Sequence, residues 1–325
     1  MKLVRRRFLQ LAGGALTAPA ISSAALAQAY PARPVKFIVG FAPGGPNDTL
    51  GRIAAGWLTK QLGQPFEVEN RSGRSGNIAT EAVVKAAPDG YTILLCGPAN
   101  QISGSLYSNL PFNFLRDIAP VVGITREALV MVVHPSVPAK TVPEFIAYAK
   151  ANPGKVTMAS TGNGSSPHVT GELFKLLAGL PLPVVHYPGG GPALKAMIEG
   201  KAEMMFEPMS ASIEPVRSGK LRALAVTTST RSAVLPDIPV MSDYVPGYEA
   251  SAATGIGVPR GTPDAIIATL NKAMNAAFSD PAMKAKLADT GGDPLPGSPA
   301  DFGKLLADET EKWGKVVKQA KITAD

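Results

Sequence analysis

The 325 residues are 45% hydrophobic and 18% charged, which suits a well-packed protein of roughly two domains on a ~150-residue prior. A formal charge of +7 with few aromatic residues gives no case for nucleic-acid binding, because no lysine and arginine run follows the N-terminus. The single cysteine, Cys96, excludes an intramolecular disulfide and a thiolate metal cluster.

Arg5-Arg6-Arg7-Phe8-Leu9 leads into an apolar stretch that ends in Ala25-Leu26-Ala27, an A-x-A cleavage site. Residues 1–27 are therefore expected to be a cleaved export signal of twin-arginine type, with the Sec route open, and the mature chain to begin near Gln28. As a membrane anchor the stretch is interrupted by glycine, proline and serine and falls short of the ~20 apolar residues of a span. Loss of Lys2, Arg5, Arg6 and Arg7 would lower the formal charge from +7 to +3, a surface mildly attractive to anions.

Val35 to Val39 is a β-rich run, and Leu50, Ile53, Ala54, Trp57 and Leu58 fall at helical spacing after the turn that follows it. Between them, Gly44 and Gly45 permit positive φ and close approach of a ligand, and Asn47 or Asp48 can cap the helix. Free amides at such a helix start favour an anion, although the same residues also suit a plain βα turn. Phe66 to Glu69 reads as a second strand, Asn77 to Ala86 as a helix behind the loop 71–76, and Tyr91 to Cys96 as a third strand with Cys96 packed. It ends in the loop Gly97-Pro98-Ala99-Asn100, and three apolar strands suggest a parallel sheet covered on both faces.

Leu129 to Val133 is a further strand closed by His134-Pro135, after which the βα rhythm restarts with the helix Val142 to Ala149. Val156 to Ser160, the loop Thr161 to Ser166 and the helix Pro167 to Ala178 repeat the opening design. Val184 to Tyr187 enters Pro188-Gly189-Gly190-Gly191-Pro192 and a helix stopped by Gly200; Glu203 to Glu207, a helix through Ile213 and Val216, and Arg222 to Thr227 follow. Pro236 to Gly247 reads as extended and Ala253 to Val258 as the last strand. Pro263, Asp280-Pro281 and Ser298-Pro299 each open a tail helix, expected to pack on the first lobe. The resulting partition is lobe 1 at 28–130, completed by 256–325, and lobe 2 at 131–255.

None of the signatures of a P-loop, a dinucleotide fold, a nucleophile elbow or a zincin helix can be written on this chain. His134, His168 and His186 stand on different elements, so neither a histidine metal site nor a triad is expected. His168, in the first turn behind a glycine-serine loop, either points at a ligand or caps; Glu207, at a strand's carboxyl end, either meets a ligand or forms a hinge salt bridge. Four loops, 41–48, 97–103, 161–166 and 188–192, follow strands, two from each lobe. Together they describe a cleft of backbone amides and hydroxyls suited to holding a carboxylate without reacting with it. No catalytic residue, metal or cofactor is expected.

Over nearly the whole mature chain the residues resemble the substrate-binding receptors of tripartite tricarboxylate transporters, the Bug family. Pro34 to Asp48 carries the P-G-G-x-x-D motif, and Asn70-Arg71 through Gly76-Asn77 and Ala87-Pro88-Asp89-Gly90-Tyr91 match the next two. Gly171-Glu172-Leu173-Phe174, Gly191-Pro192-Ala193-Leu194 and Gly219 to Ala225 follow in the family's order. Gly40, Asn47 and Arg74 depart from the common pattern and leave specificity open.

The resemblance implies an α/β, two-lobed periplasmic-binding-protein fold, each lobe a mainly parallel sheet flanked by helices. It implies a monomeric periplasmic receptor that closes on a small organic carboxylate and delivers it to integral-membrane transporter subunits, with presentation to a sensor kinase as the alternative and a carboxylate-acting enzyme as a remote one. One wall of the site would be Phe41, Ala42, Pro43, Gly44, Gly45, Asn47 and Asp48, and the other Thr161, Gly162, Asn163, Gly164, Ser165, Ser166 and His168. Ala99 and Asn100 are added from lobe 1, and Gly189, Gly190 and Glu207 from lobe 2.

Overall fold

The computed structural model describes residues 30–232 and 234–324, so the expected leader lies outside the described residues. Strand β1 (Val35–Val39) leads to α1 (Pro46–Leu62), β2 (Phe66–Asn70), α2 (Asn77–Val84), β3 (Thr92–Cys96), α3 (Pro98–Leu106), the short α4 (Phe114–Asp117) and β4 (Ile118–Val133). Then come α5 (Val142–Ala151), β5 (Met158–Ser160), α6 (Ser166–Ala178), β6 (Val184–His186), α7 (Gly190–Ile198), β7 (Met204–Pro208), α8 (Met209–Arg217) and β8 (Arg222–Val226). The chain closes with β9 (Ser251–Pro259), α9 (Asp264–Ala277), α10 (Pro281–Asp289), β10 (Gly292–Pro294) and α11 (Pro299–Gln319).

Helix boundaries follow local chemistry. Prolines occupy the first turns of α5, α6, α10 and α11, while Thr141, Ser165, Asp280 and Ser298 accept a first-turn amide at each start. Gly63 and Gly179, in left-handed conformation, end α1 and α6. The stretch 236–247, expected to be extended, holds a single 3-10 turn at Met241–Asp243.

The parallel strands β2, β1 and β3 form the first sheet's core, and β9 and β4 continue it in antiparallel sense. In the second sheet β6, β5 and β7 are parallel, and β4 again adds antiparallel with β8 on its far side. β4 is thus one 16-residue strand shared by both sheets: Ile118 to Ala128 pair with β9, and Leu129 to Val133 with β7 and β8. Only its second part was expected. Pro120, Gly123 and the adjacent charges Arg126 and Glu127 conceal the first part, and the pairing accommodates them with register shifts near Pro120 and Gly123.

The first sheet packs α1, α9 and α10 on one face, through Trp57, Leu58, Leu270 and Met274, and α2, α4 and α11 on the other, through Val83, Phe114 and Phe302. Cys96 is packed there as expected, its thiol pushed up to about 12 by burial. The tail helices do not all stay with this lobe. Phe302 and Leu306 of α11 join the core of Ile38, Leu94 and Cys96, whereas Trp313, Val316 and Val317 enter that of Leu129, Met131, Phe145 and Phe206. α11 is 21 residues long, about 31 Å at 1.5 Å per residue, and reaches across both cores.

Register places the cleft. β3 advances toward the amino end of β9, with Leu94 opposite Gly257 and Cys96 opposite Gly255, while β7 advances toward the middle of β4, with Met204 opposite Val133 and Pro208 opposite Leu129. Gly255 in turn faces Gly123. The carboxyl ends of the two parallel sets therefore point at each other over the stretch 124–128, about 16 Å of strand.

Candidate functional site

The first wall is the loop between β1 and α1. Gly45, not Asn47 or Asp48, is the N-cap of α1; it brings no side-chain cap and is followed by Pro46, so the first-turn amides stay open toward the cleft edge. Phe41, Ala42, Pro43 and Gly44 are exposed, and Gly45 and Asn47 half-buried. Gly44 has φ +80°, where an L side chain is strained.

Asp48 differs from its neighbours in the loop. It is only 3% exposed, and its Oδ2 accepts the Gly44 amide at 2.8 Å and Arg52 Nε at 2.9 Å while Oδ1 accepts Asn70 Nδ2 at 2.9 Å. The same Asn70 amide donates to Phe41 O, closing the loop at both ends. These donors hold the Asp48 carboxyl down at about 2. With these donors engaged, the carboxylate shapes the wall.

The expected loop 97–103 is helix from Pro98 onward. Asn100, expected to contact the ligand, is buried: Oδ1 accepts the Gly97 amide at 2.8 Å and Nδ2 donates to Thr80 Oγ1 at 2.7 Å. It fixes the start of α3 and leaves Ala99, half-buried in the first turn, nearer the cleft. Two neighbours went unnoticed in the sequence. Asn77, which opens α2, and Gln101, in α3, are 3% and 0% exposed, and both side-chain amides lack a hydrogen-bond partner. Buried unpaired amides cost about 1–3 kcal/mol each unless something completes them, and both sit where the amino ends of α2 and α3 meet the carboxyl edge of the first sheet. Arg74 is exposed over the Tyr107 ring, with 5.5 Å from its Cζ to the centroid.

The second wall, Thr161 to Ser166, is braced from within. Thr161 Oγ1 donates to Ser165 Oγ at 3.0 Å, the Gly162 amide to Ser160 Oγ at 3.2 Å, and Asn163 Nδ2 to Thr323 O. Ser165 Oγ caps α6 by accepting the His168 amide at 3.3 Å, while Ser166 is half-buried in the first turn. His168 is part of this brace: 4% exposed, it accepts the Gly164 amide through Nδ1 at 3.0 Å, with Nε2 3.6 Å from Glu172 and its ring edge-on to His186. Its ring holds the loop, which answers the choice the sequence left open. Gly164, at φ +68°, lies so close to Leu106 of α3 that an added Cβ would fall 2.3 Å from Leu106 Cδ2.

Gly189, at φ +107°, caps α7, and Gly190 begins it. Glu207 ends β7 beside them, 3% exposed, with Oε2 unpartnered. Burial and the neighbouring Glu127 push its carboxyl up to about 8. The hinge ion network lies elsewhere: Arg126 meets Glu249 at 2.7 Å, and Lys312 meets Glu249 at 3.0 Å and Glu309 at 2.7 Å. Glu207 has no cation among the described residues. Those residues also hold no His, Cys, Asp and Glu group suited to a metal ion, and no helix long and apolar enough to cross a membrane.

Residues 50–322 match the model of the tripartite tricarboxylate transporter family receptor. BugT of Bordetella pertussis is 36% identical over 316 residues, covering 96% of this chain and 97% of that protein. Among solved structures, R. palustris Rpa4515 with adipate superposes with a TM-score of 0.80 at 35% identity, covering 90% of this chain and 99% of the other. MatC from Rhodopseudomonas palustris with bound malate gives 0.76 at 32%, covering 89% and 100%.

Proposed function

The chain belongs to the tripartite tricarboxylate transporter receptor family, and on that premise we propose that it captures a small organic carboxylate between its lobes in the periplasm and hands it to membrane transporter subunits. The observation that supports this reading is the head-on convergence of the two parallel strand sets on residues 124–128, with α1 and α7, whose starts carry no side-chain cap, each following one of these sets. A carboxylate seated there exchanges water for fixed backbone donors and the positive ends of helix dipoles.

Lobe 1 is taken as 28–130 with 256–325 and lobe 2 as 131–255, closing by rotation where β4 leaves one sheet for the other. The ligand contacts are the loop Phe41 to Asn47, Ala99, the loop Thr161 to Ser166, Gly189, Gly190 and Glu207, with Asp48, Asn100 and His168 holding the walls in place. Binding needs no covalent step, and the chain acts as a monomer without cofactor or catalysis.

The bound acids of Rpa4515 and MatC, adipate and malate, support a carboxylate as the recognised group. Thermal melts of ligand-free protein against di- and tricarboxylates, aromatic acids and acidic amino acids test the reading: a ligand at ~100 times its Kd adds about 2.7 kcal/mol. The ligand is then recovered unchanged. No upward shift with any carboxylate, or its conversion to product, would contradict the reading.

A further inference from the structure

Glu207 is a buried acid without a partner at the mouth of a cleft that otherwise offers amides. Its Oε2 is enclosed and accepts no hydrogen bond, and a Cβ placed on Gly190 would lie 3.5 Å from Oε1, so the carboxyl stands against the start of α7. Glu127 on β4 is the charged group whose field adds to this burial. Its Oε1 accepts Ser210 Oγ at 2.7 Å and the Ser210 amide at 3.4 Å, and a Cβ on Gly291 would lie 3.0 Å away.

Glu207 thus occupies a poorly solvated corner beside α7, with the half-buried Glu127 bonded to α8, and among the described residues neither forms a salt bridge. Burial raises both, Glu207 to about 8 with Glu127 adding to the shift. The like charge of Glu127 further disfavours ionisation of a poorly solvated Glu207, and a cation at Glu207 relieves that cost. The loop amides suit a carboxylate at one end of a ligand. This corner suits the opposite charge at the other.

We infer that the Glu207 carboxyl takes the ammonium end of the ligand, so that the substrate class is a carboxylate carrying a protonated amine. The inference rests on the carboxylate-receptor reading and sharpens it. A dicarboxylate of equal length would bring another negative group against Glu207. Binding an ammonium draws Glu207 into its ionised form, so at pH 7 complex formation releases protons, and affinity rises with pH until Glu207 is ionised in the free protein.

Titration calorimetry of ligand-free protein at pH 7 compares β-alanine with succinate, and γ-aminobutyrate and glutamate with glutarate, each in two buffers of different ionisation enthalpy. At least one amine is expected to bind about tenfold or more tightly than its diacid, a preference of about 1.4 kcal/mol, with proton release in the buffer dependence. Glu207→Gln should abolish that preference and the proton release. The wild-type pairs need no variant, so the test survives a poorly folding substitution. Diacids that match or beat every amine, proton uptake in place of release, or a preference unchanged in Glu207→Gln would overturn the inference and leave the receptor reading standing. If no member of either series binds, this inference falls, and the wider carboxylate panel decides the receptor reading on its own.

Discussion

The Asp48 carboxylate accepts the Gly44 amide at 2.8 Å across one turn of chain, and through that bond a residue buried in the first turn of α1 sets the shape of the exposed loop before it. Arg52 and Asn70 complete its acceptor sites. The motif aspartate therefore holds the loop, and with it the amides beyond it.

Asp48→Asn keeps the shape but turns an NH2 group toward donors that need an acceptor. A loss of about 1.5–3 kcal/mol in unfolding free energy is expected, with weaker ligand binding, as measured by denaturant melts and titration. In the wild type the sign with pH is fixed by the depressed pKa: the ion pair's contribution is complete above the ordinary value of 3.8 and is lost as pH falls to about 2. Asp48→Asn should lack that acid-side loss, of about 2 kcal/mol.

Gly45 has φ −81°, and a Cβ there would meet only Ala42 O at 3.5 Å. Gly45→Val is expected to fold with a melting temperature near that of the wild type and to lose ligand-induced stabilisation, because its branches occupy the space beside the open amides. Gly44→Val differs: at φ +80° it strains the backbone by about 1–2 kcal/mol and lowers the melting temperature without ligand. Wild-type affinity in Gly45→Val would make the loop a mere connection.

Gly164→Ala should destabilise by about 1–3 kcal/mol, from overlap with Leu106 added to the cost of a side chain at φ +68°. Adding Leu106→Ala removes the overlap and not the backbone cost. In a double-mutant cycle the two substitutions are thus expected to couple favourably, by at least about 0.5 kcal/mol. Strict additivity would mean that α3 and the second wall do not touch.

The strand, glycine loop and helix units were legible because apolar runs and glycine-proline punctuation are local signals, and the order of motifs extended them to the two-lobed fold. Long-range pairing was not. Residues 118–128 read as broken chain because Pro120 and Gly123 interrupt them, yet β9 imposes strand on them. The apolar face of α11 was visible, but its division between two cores depends on where β4 passes between sheets. At the site, the glycines stood out and the supports did not. Asp48, Asn100 and His168 carry polar side chains that a sequence cannot sort into ligand contact or brace, since the difference lies in partners 4 to 22 residues away. Asn77 followed a glycine and Gln101 stood behind Gly97-Pro98, weak signals beside a missing hydrogen-bond partner.

The central claim is that backbone amides of the facing loops hold a carboxylate. Titration calorimetry of ligand-free protein with its best carboxylate and with the matching primary amide, equal in size but uncharged, tests it most directly. Saturable one-to-one binding of the acid is expected, with a loss of at least about tenfold for the amide, since the charged acceptor makes the stronger hydrogen bonds. Equal affinity for acid and amide would contradict it.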